Sequence, residues 1–143
     1  MPESSPQPFI LTLKLDTSSF ERLNQLRQQY FPRQRNFLPA HVTLFHALPG
    51  DQEASIRQTL QEVSCRTPIL TLTFPKLRFL GQGVAVELDS PELIHLHQDL
   101  AEIWREWLSR QDQQSYRPHI TIQNKVTPEA ARDLYDQLKW EAF

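Results

Sequence analysis

At 143 residues and 39% apolar content, the chain suits one domain with a real hydrophobic core. A net charge of −2 and a pI near 6.2 exclude a broad basic surface gripping a long nucleic acid through many phosphates. The single cysteine, Cys65, excludes an internal disulfide framework and a cysteine-based zinc site, and no apolar run approaches the roughly 20 residues that span a bilayer.

Those exclusions point to a reducing cytoplasm and to no membrane partner. Residues 1–8 are polar and proline-rich without a secretory pattern, and are expected to form a flexible tail ahead of a single domain over 9–143. Phe9, Leu11, Leu13 and Leu15 alternate with more polar neighbours and predict a first strand. Ser18 to Glu21 matches a capping box, and Phe20, Leu23, Leu26/Arg27 and Tyr30 recur at helical spacing. Phe31-Pro32 ends that helix, and Arg33 to Pro39 form a loop feeding a strand over 40–47.

After a turn at Pro49-Gly50-Asp51, Ile56, Leu60 and Val63 predict a helix over about 52–64, with Cys65 half-buried at its end. Residues 69–74 alternate as a strand, which Pro75 separates from Leu77 to Phe79. Gly81-Gln82-Gly83 predicts a hairpin into Val84, Val86 and Leu88. Ser90-Pro91-Glu92 is a strong helix start. Leu93, Leu96/His97, Leu100, Ile103/Trp104 and Trp107 form its buried stripe, ending near Arg110. A further strand follows the polar loop, then Thr127-Pro128-Glu129 opens a last helix with Ala131, Leu134 and Leu138 inward. The closing Trp140-Glu141-Ala142-Phe143 looks like the beginning of another strand. The order is βαβα-ββ(β)-αβα, an α+β chain that resembles a duplicated βαβ-type unit.

Two stretches stand out. Pro39-Ala-His41-Val-Thr43-Leu44 and Arg117-Pro-His119-Ile-Thr121-Ile122 each read His-x-Thr-x with x apolar, and the histidines lie 78 residues apart. In a strand of period two, His and Thr share one face and the aliphatic residues the other. Two such strands could build one two-histidine site. Histidine, with an ordinary pKa near 6.5, can be acid or base near neutrality, so two of them can divide phosphodiester cleavage between them. A threonine hydroxyl on the same face can donate to a non-bridging phosphate oxygen as charge develops there. This chemistry needs no metal or cofactor, and the sequence offers no good set of metal ligands.

Several other residues bear on that site. Arg33 and Arg35 before the first motif, Arg117 within the second and Lys125 after it could hold a phosphate locally, and Phe37 and Tyr116 could line the cleft or stack on a nucleobase. His46, at odd spacing from His41, is expected on the other face of its strand as a packing or rim residue. His95 and His97, two apart on a helix, make a poor chelating pair, and Trp104 and Trp107 are spaced as core.

At the paired motifs the chain resembles the 2H phosphoesterase superfamily, most closely its LigT-like branch, the 2′-5′ RNA ligases or RNA 2′,3′-cyclic phosphodiesterases. The resemblance implies a bilobal fold of two antiparallel sheets forming a V-shaped cleft, with helices on the outer faces. It implies His41 as proton donor, His119 as proton acceptor, and Thr43 and Thr121 on the phosphate. It further implies opening of 2′,3′-cyclic phosphates on RNA ends or small nucleotides by a monomer, with a reversible 2′-5′ linkage reaction open to the same site, acid and base exchanging roles in its reverse direction. A non-catalytic RNA- or nucleotide-binding module using the same cleft is the alternative. Members often follow the second motif with an arginine, where this chain has Gln123-Asn124-Lys125, and usually carry one or two more strands beyond the last helix.

Overall fold

Three helices begin at side chains that accept a hydrogen bond from the first turn. Asp16 caps α1 (Thr17–Tyr30), Ser90 caps α3 (Pro91–Ile103) and Thr127 caps α4 (Pro128–Leu138). Such a cap typically contributes about 1 kcal/mol, and proline at the first position of α3 and α4 costs no hydrogen bond there. The capping box expected at Ser18 is not the start of α1: the Asp16 carboxylate takes the Ser19 N–H and the Ser18 hydroxyl instead. The remaining helix, α2 (Glu53–Arg66), follows a 3-10 turn at Gly50–Gln52.

The computed structural model describes residues 7–141, so most of the expected tail and the end of the closing segment, Ala142-Phe143, lie outside the described residues. Five strands complete the mixed α+β fold: β1 (Phe9–Leu13), β2 (Val42–Leu48), β3 (Thr73–Phe79), β4 (Val84–Asp89) and β5 (His119–Gln123). They form two antiparallel sheets, one of β1 with β2 and one in the order β3-β4-β5.

Some boundaries differ from the sequence expectation. Residues Ile69 to Leu72 lie outside any strand, and β3 instead runs straight through Pro75. Proline is tolerated because β3 is an edge strand, and the pairing slips between Thr73 and Lys76 to accommodate it. Strand β1 stops at Leu13. Helix α3 stops at Ile103 and is followed by a 3-10 turn over Arg105–Trp107, while Cys65 is exposed. Trp140 sits in a turn beyond α4.

The chain divides into two compact units. Unit 1 comprises residues up to Leu11, Leu44–Leu72 and Ser90–Tyr116; unit 2 comprises Thr12–Thr43, Thr73–Asp89 and the residues from Arg117 onward. Within unit 1, Phe45, Leu48, Ile56, Val63, Leu93, Leu100 and Trp104 are buried. An aromatic column runs through it: the His97 ring stacks on Phe45 at 4.6 Å and on Tyr116 at 4.0 Å, and Trp104 meets Phe45 edge-on. Asp112, also in unit 1, accepts the backbone N–H groups of His46 and Ala47.

Unit 2 is built on the three-stranded sheet. Leu77, Val84, Val86, Leu88, Ile120 and Ile122 are buried there, as are Ala131, Leu134 and Leu138 of α4, which packs against β3 and β4. Helix α1 packs against β5. Two glycines are needed at the β3–β4 hairpin. Gly81 has φ +90°, and a Cβ at Gly83 would overlap the Gln123 carbonyl of β5.

Candidate active site

Both histidines and both threonines of the paired motifs belong to unit 2. In β5, Ile120 and Ile122 are fully buried while His119 and Thr121 are partly exposed, as a strand with one dry face requires. The same alternation holds around the start of β2, with Val42 and Leu44 buried and His41 and Thr43 partly exposed. His41 itself stands one residue ahead of the strand.

The two rings are held alike. Each Nδ1 lies 2.9 Å from the backbone carbonyl oxygen two residues earlier, Pro39 for His41 and Arg117 for His119. A carbonyl oxygen can only accept, so Nδ1 carries the hydrogen in both cases. Nε2 is thereby the nitrogen each ring keeps for exchanging a proton.

The sheet register surrounds His119 with charge. Glu87 lies opposite His119 and Ala85 opposite Thr121, while Lys76 lies opposite Glu87 and Arg78 opposite Ala85. These six side chains therefore share one face of the sheet. Arg78 Nε donates to Glu87 at 2.7 Å, Arg117 donates to the same carboxylate oxygen at 3.3 Å, and Lys76 Nζ lies 3.6 Å from the other. Burial pushes the Glu87 carboxyl up, but the Arg78 hydrogen bond and the charges of Arg78, Lys76 and Arg117 outweigh it and hold it below the usual carboxylate range. Arg78 also places Nη1 3.4 Å from His119 Nδ1. With the Nδ1 hydrogen already turned to the Arg117 carbonyl, that approach is an electrostatic contact and not a hydrogen bond.

Helix α1 ties the two motifs into one scaffold. Asn24 Oδ1 accepts the N–H of Ala40, the residue before His41, at 2.9 Å. One turn on, Arg27 donates from Nε to Asn36 Oδ1 and from Nη1 to the Thr121 carbonyl, both at 2.9 Å. Leu88 donates to Pro118 across β4–β5, so in an antiparallel ladder the Thr121 carbonyl faces away from β4. Arg27 satisfies that outward edge.

The other expected site residues are distributed between the units. Arg33 and Arg35 are exposed in a 3-10 turn over Arg33–Arg35, and Phe37 follows them 84% exposed, all in unit 2. Lys125 is an exposed residue with φ 63°, also in unit 2. Tyr116 belongs to unit 1, where its ring stacks on His97 and burial pushes its phenol well above the ordinary value. His46 is exposed, with Nδ1 3.1 Å from Asp112, and His95 faces Asp99 at 3.7 Å. Among the described residues no cluster of three or more His, Cys, Asp or Glu could hold a metal ion, and no helix is long and apolar enough to cross a membrane.

Asn24, Arg27, Asn36, Lys76, Arg78 and Glu87 escape a reading of the sequence. Two left a faint signal: Arg27 occupies a core position of the α1 stripe, and Glu87 interrupts the aliphatic run of β4.

The family model described as the 2′-5′ RNA ligase superfamily matches residues 15–143. The chain belongs to the 2′-5′ RNA ligase superfamily. It is thereby a member of the 2H phosphoesterase, LigT-like group, whose proteins are generally catalytic phosphoesterases or ligases acting on RNA or nucleotides. No curated protein matches the chain.

Proposed function

We propose that this 2H phosphoesterase opens 2′,3′-cyclic phosphates on RNA ends or nucleotides by acid–base catalysis between His41 and His119. The observation that carries the reading is the matched pair of Nδ1–carbonyl bonds, which leaves each Nε2 for proton transfer. His119 acts as base: neutral, with hydrogen on Nδ1, it takes a proton from water at Nε2 while the water oxygen bonds to phosphorus. His41 acts as acid. Because its Nδ1 hydrogen is engaged by Pro39, it can donate from Nε2 only as the doubly protonated imidazolium. It protonates O3′ as the P–O3′ bond breaks, leaving a 2′-phosphate and a 3′-hydroxyl.

Thr43 and Thr121 donate to the non-bridging oxygens, where hydrogen bonds strengthen as charge develops. Lys76, Arg78 and Arg117 outnumber Glu87 on the His119 face, and the surplus positive charge suits a phosphodiester. Phe37 offers an exposed ring for a nucleobase, with Arg35 and Lys125 as further cations for the chain of an RNA end. The scheme uses no metal. With a 5′-hydroxyl in place of water, the same step makes a 2′-5′ linkage: His119 takes the hydroxyl proton as O5′ bonds to phosphorus, and O3′ leaves with the His41 proton; in the reverse direction the two histidines exchange roles.

A short RNA ending in a 2′,3′-cyclic phosphate, incubated with the protein and EDTA, tests the reading. Conversion to the 2′-phosphate is expected. An RNA that binds but keeps its cyclic end would instead make the protein a binding module.

A further inference from the structure

Arg27 is 5% exposed, with its guanidinium inside unit 2. Its two hydrogen-bond partners, the Asn36 amide oxygen and the Thr121 carbonyl, are neutral, and its third neighbour is the Phe31 ring, 4.1 Å from Cζ. Burying a cation among neutral groups is expensive, and an apolar side chain of similar volume serves a helix stripe better. Leu23, one turn earlier on the same stripe, shows that alternative in place. The residue is therefore poorly explained as packing.

Its two hydrogen bonds explain it. Asn36 lies in the loop that leads to His41, and Asn24 of the same helix holds that loop again at Ala40. Thr121 is two residues beyond His119, on the strand edge that β4 leaves open. A planar guanidinium fixes the directions of its N–H groups, so one rigid fork links the Asn36 side chain in the loop before His41 to the strand backbone just after His119. Acid–base catalysis on a single phosphate tolerates little error in that spacing, since a displacement near 1 Å can cost about 100-fold in rate.

We propose that Arg27 is a positioning residue that sets the placement of His41 relative to His119 by bridging the Asn36 side chain, in the loop before His41, and the Thr121 backbone, two residues after His119. The inference builds on the two-histidine reading and names a residue that the motifs do not contain. Arg27→Lys keeps the charge and loses the fork. Turnover of 2′,3′-cyclic AMP per folded molecule is expected to fall about 10–100-fold in kcat, with KM within about twofold of the parent. Asn36→Ala cuts the bridge on the His41 side only, and in NMR spectra of the imidazole nitrogens it shifts His41 while leaving His119 in place. Arg27→Lys shifts both rings.

A merely structural arginine gives a different pattern. Arg27→Lys then lowers the melting temperature, while kcat per folded molecule and both imidazole signals stay as in the parent, and the proposal is overturned. Should Arg27→Lys fail to fold, Asn36→Ala alone decides: an unmoved His41 signal overturns it. A parent that turns over no cyclic phosphate overturns the proposed function and not the positioning, which the imidazole signals then settle.

Discussion

His41 and His119 share one local geometry: each ring donates from Nδ1, over 2.9 Å, to the carbonyl oxygen two residues before it. One histidine precedes a strand of the two-stranded sheet and the other opens the edge strand of the three-stranded sheet. The bond that selects the tautomer is therefore made, in both motifs, within two residues of the histidine.

Charge around His119 should be visible in substrate affinity. Glu87→Gln removes the one carboxylate among Lys76, Arg78 and Arg117. KM for a cyclic nucleotide is expected to fall roughly threefold at low ionic strength, the scale of a partly exposed ion pair. That gain disappears near 1 M salt, where the screening length is about 3 Å. Initial-rate kinetics at two salt concentrations check it; a KM that rises for the variant contradicts the phosphate-facing role.

In unit 1, Asp112 should prove structural. Its side chain is 1% exposed and accepts from the backbone N–H groups of His46 and Ala47 and from the His46 ring. Asp112→Ala strands those donors and is expected to destabilise the fold by about 2–3 kcal/mol, measured by urea unfolding. Burial pushes this carboxyl up, but the two backbone bonds and His46 hold it below its ordinary value. Its contribution is therefore fully present above the unfolded carboxyl pKa and is lost as pH falls through the lower folded one.

His97 opens a separate acid window. Burial between Phe45 and Tyr116 pulls its pKa below the ordinary 6.5, only partly offset by the Asp112 charge and the Leu44 carbonyl. The unfolded chain then binds a proton that the fold resists, so stability declines as pH drops below about 6.5 toward the folded value. His97→Phe keeps the ring column and removes the titration. Its unfolding free energy should be flat over that interval, where the parent's slopes; equal slopes would contradict the assignment.

Much of this molecule was legible beforehand, for identifiable reasons. Ser90-Pro91 and Thr127-Pro128 announce helices because a cap and a fixed φ act locally, and the His-x-Thr-x alternation places four polar atoms by strand geometry alone. Local patterns mislead where a neighbour competes. Ser18 loses the cap to Asp16, two residues upstream, and the run at Ile69 to Leu72 has strand alternation but lies outside any strand, its Thr71 N–H donating to Glu92. Arg78 gives no signal, and Arg27 and Glu87 only a faint one, because their meaning lies in cross-strand register and in a contact spanning 94 residues of chain. Tyr116, adjacent to a motif in sequence, turns its ring to His97.

The pH dependence of kcat/KM for hydrolysis of 2′,3′-cyclic AMP, with EDTA present, most directly tests the two-histidine account. The parent should give a bell, its acid limb set by deprotonation of the His119 base and its alkaline limb by loss of the His41 proton. His119→Ala should lose the acid limb and His41→Ala the alkaline one, each with a rate about 100–10,000-fold lower. A monotonic parent profile, or either variant turning over at the parent rate, would contradict it.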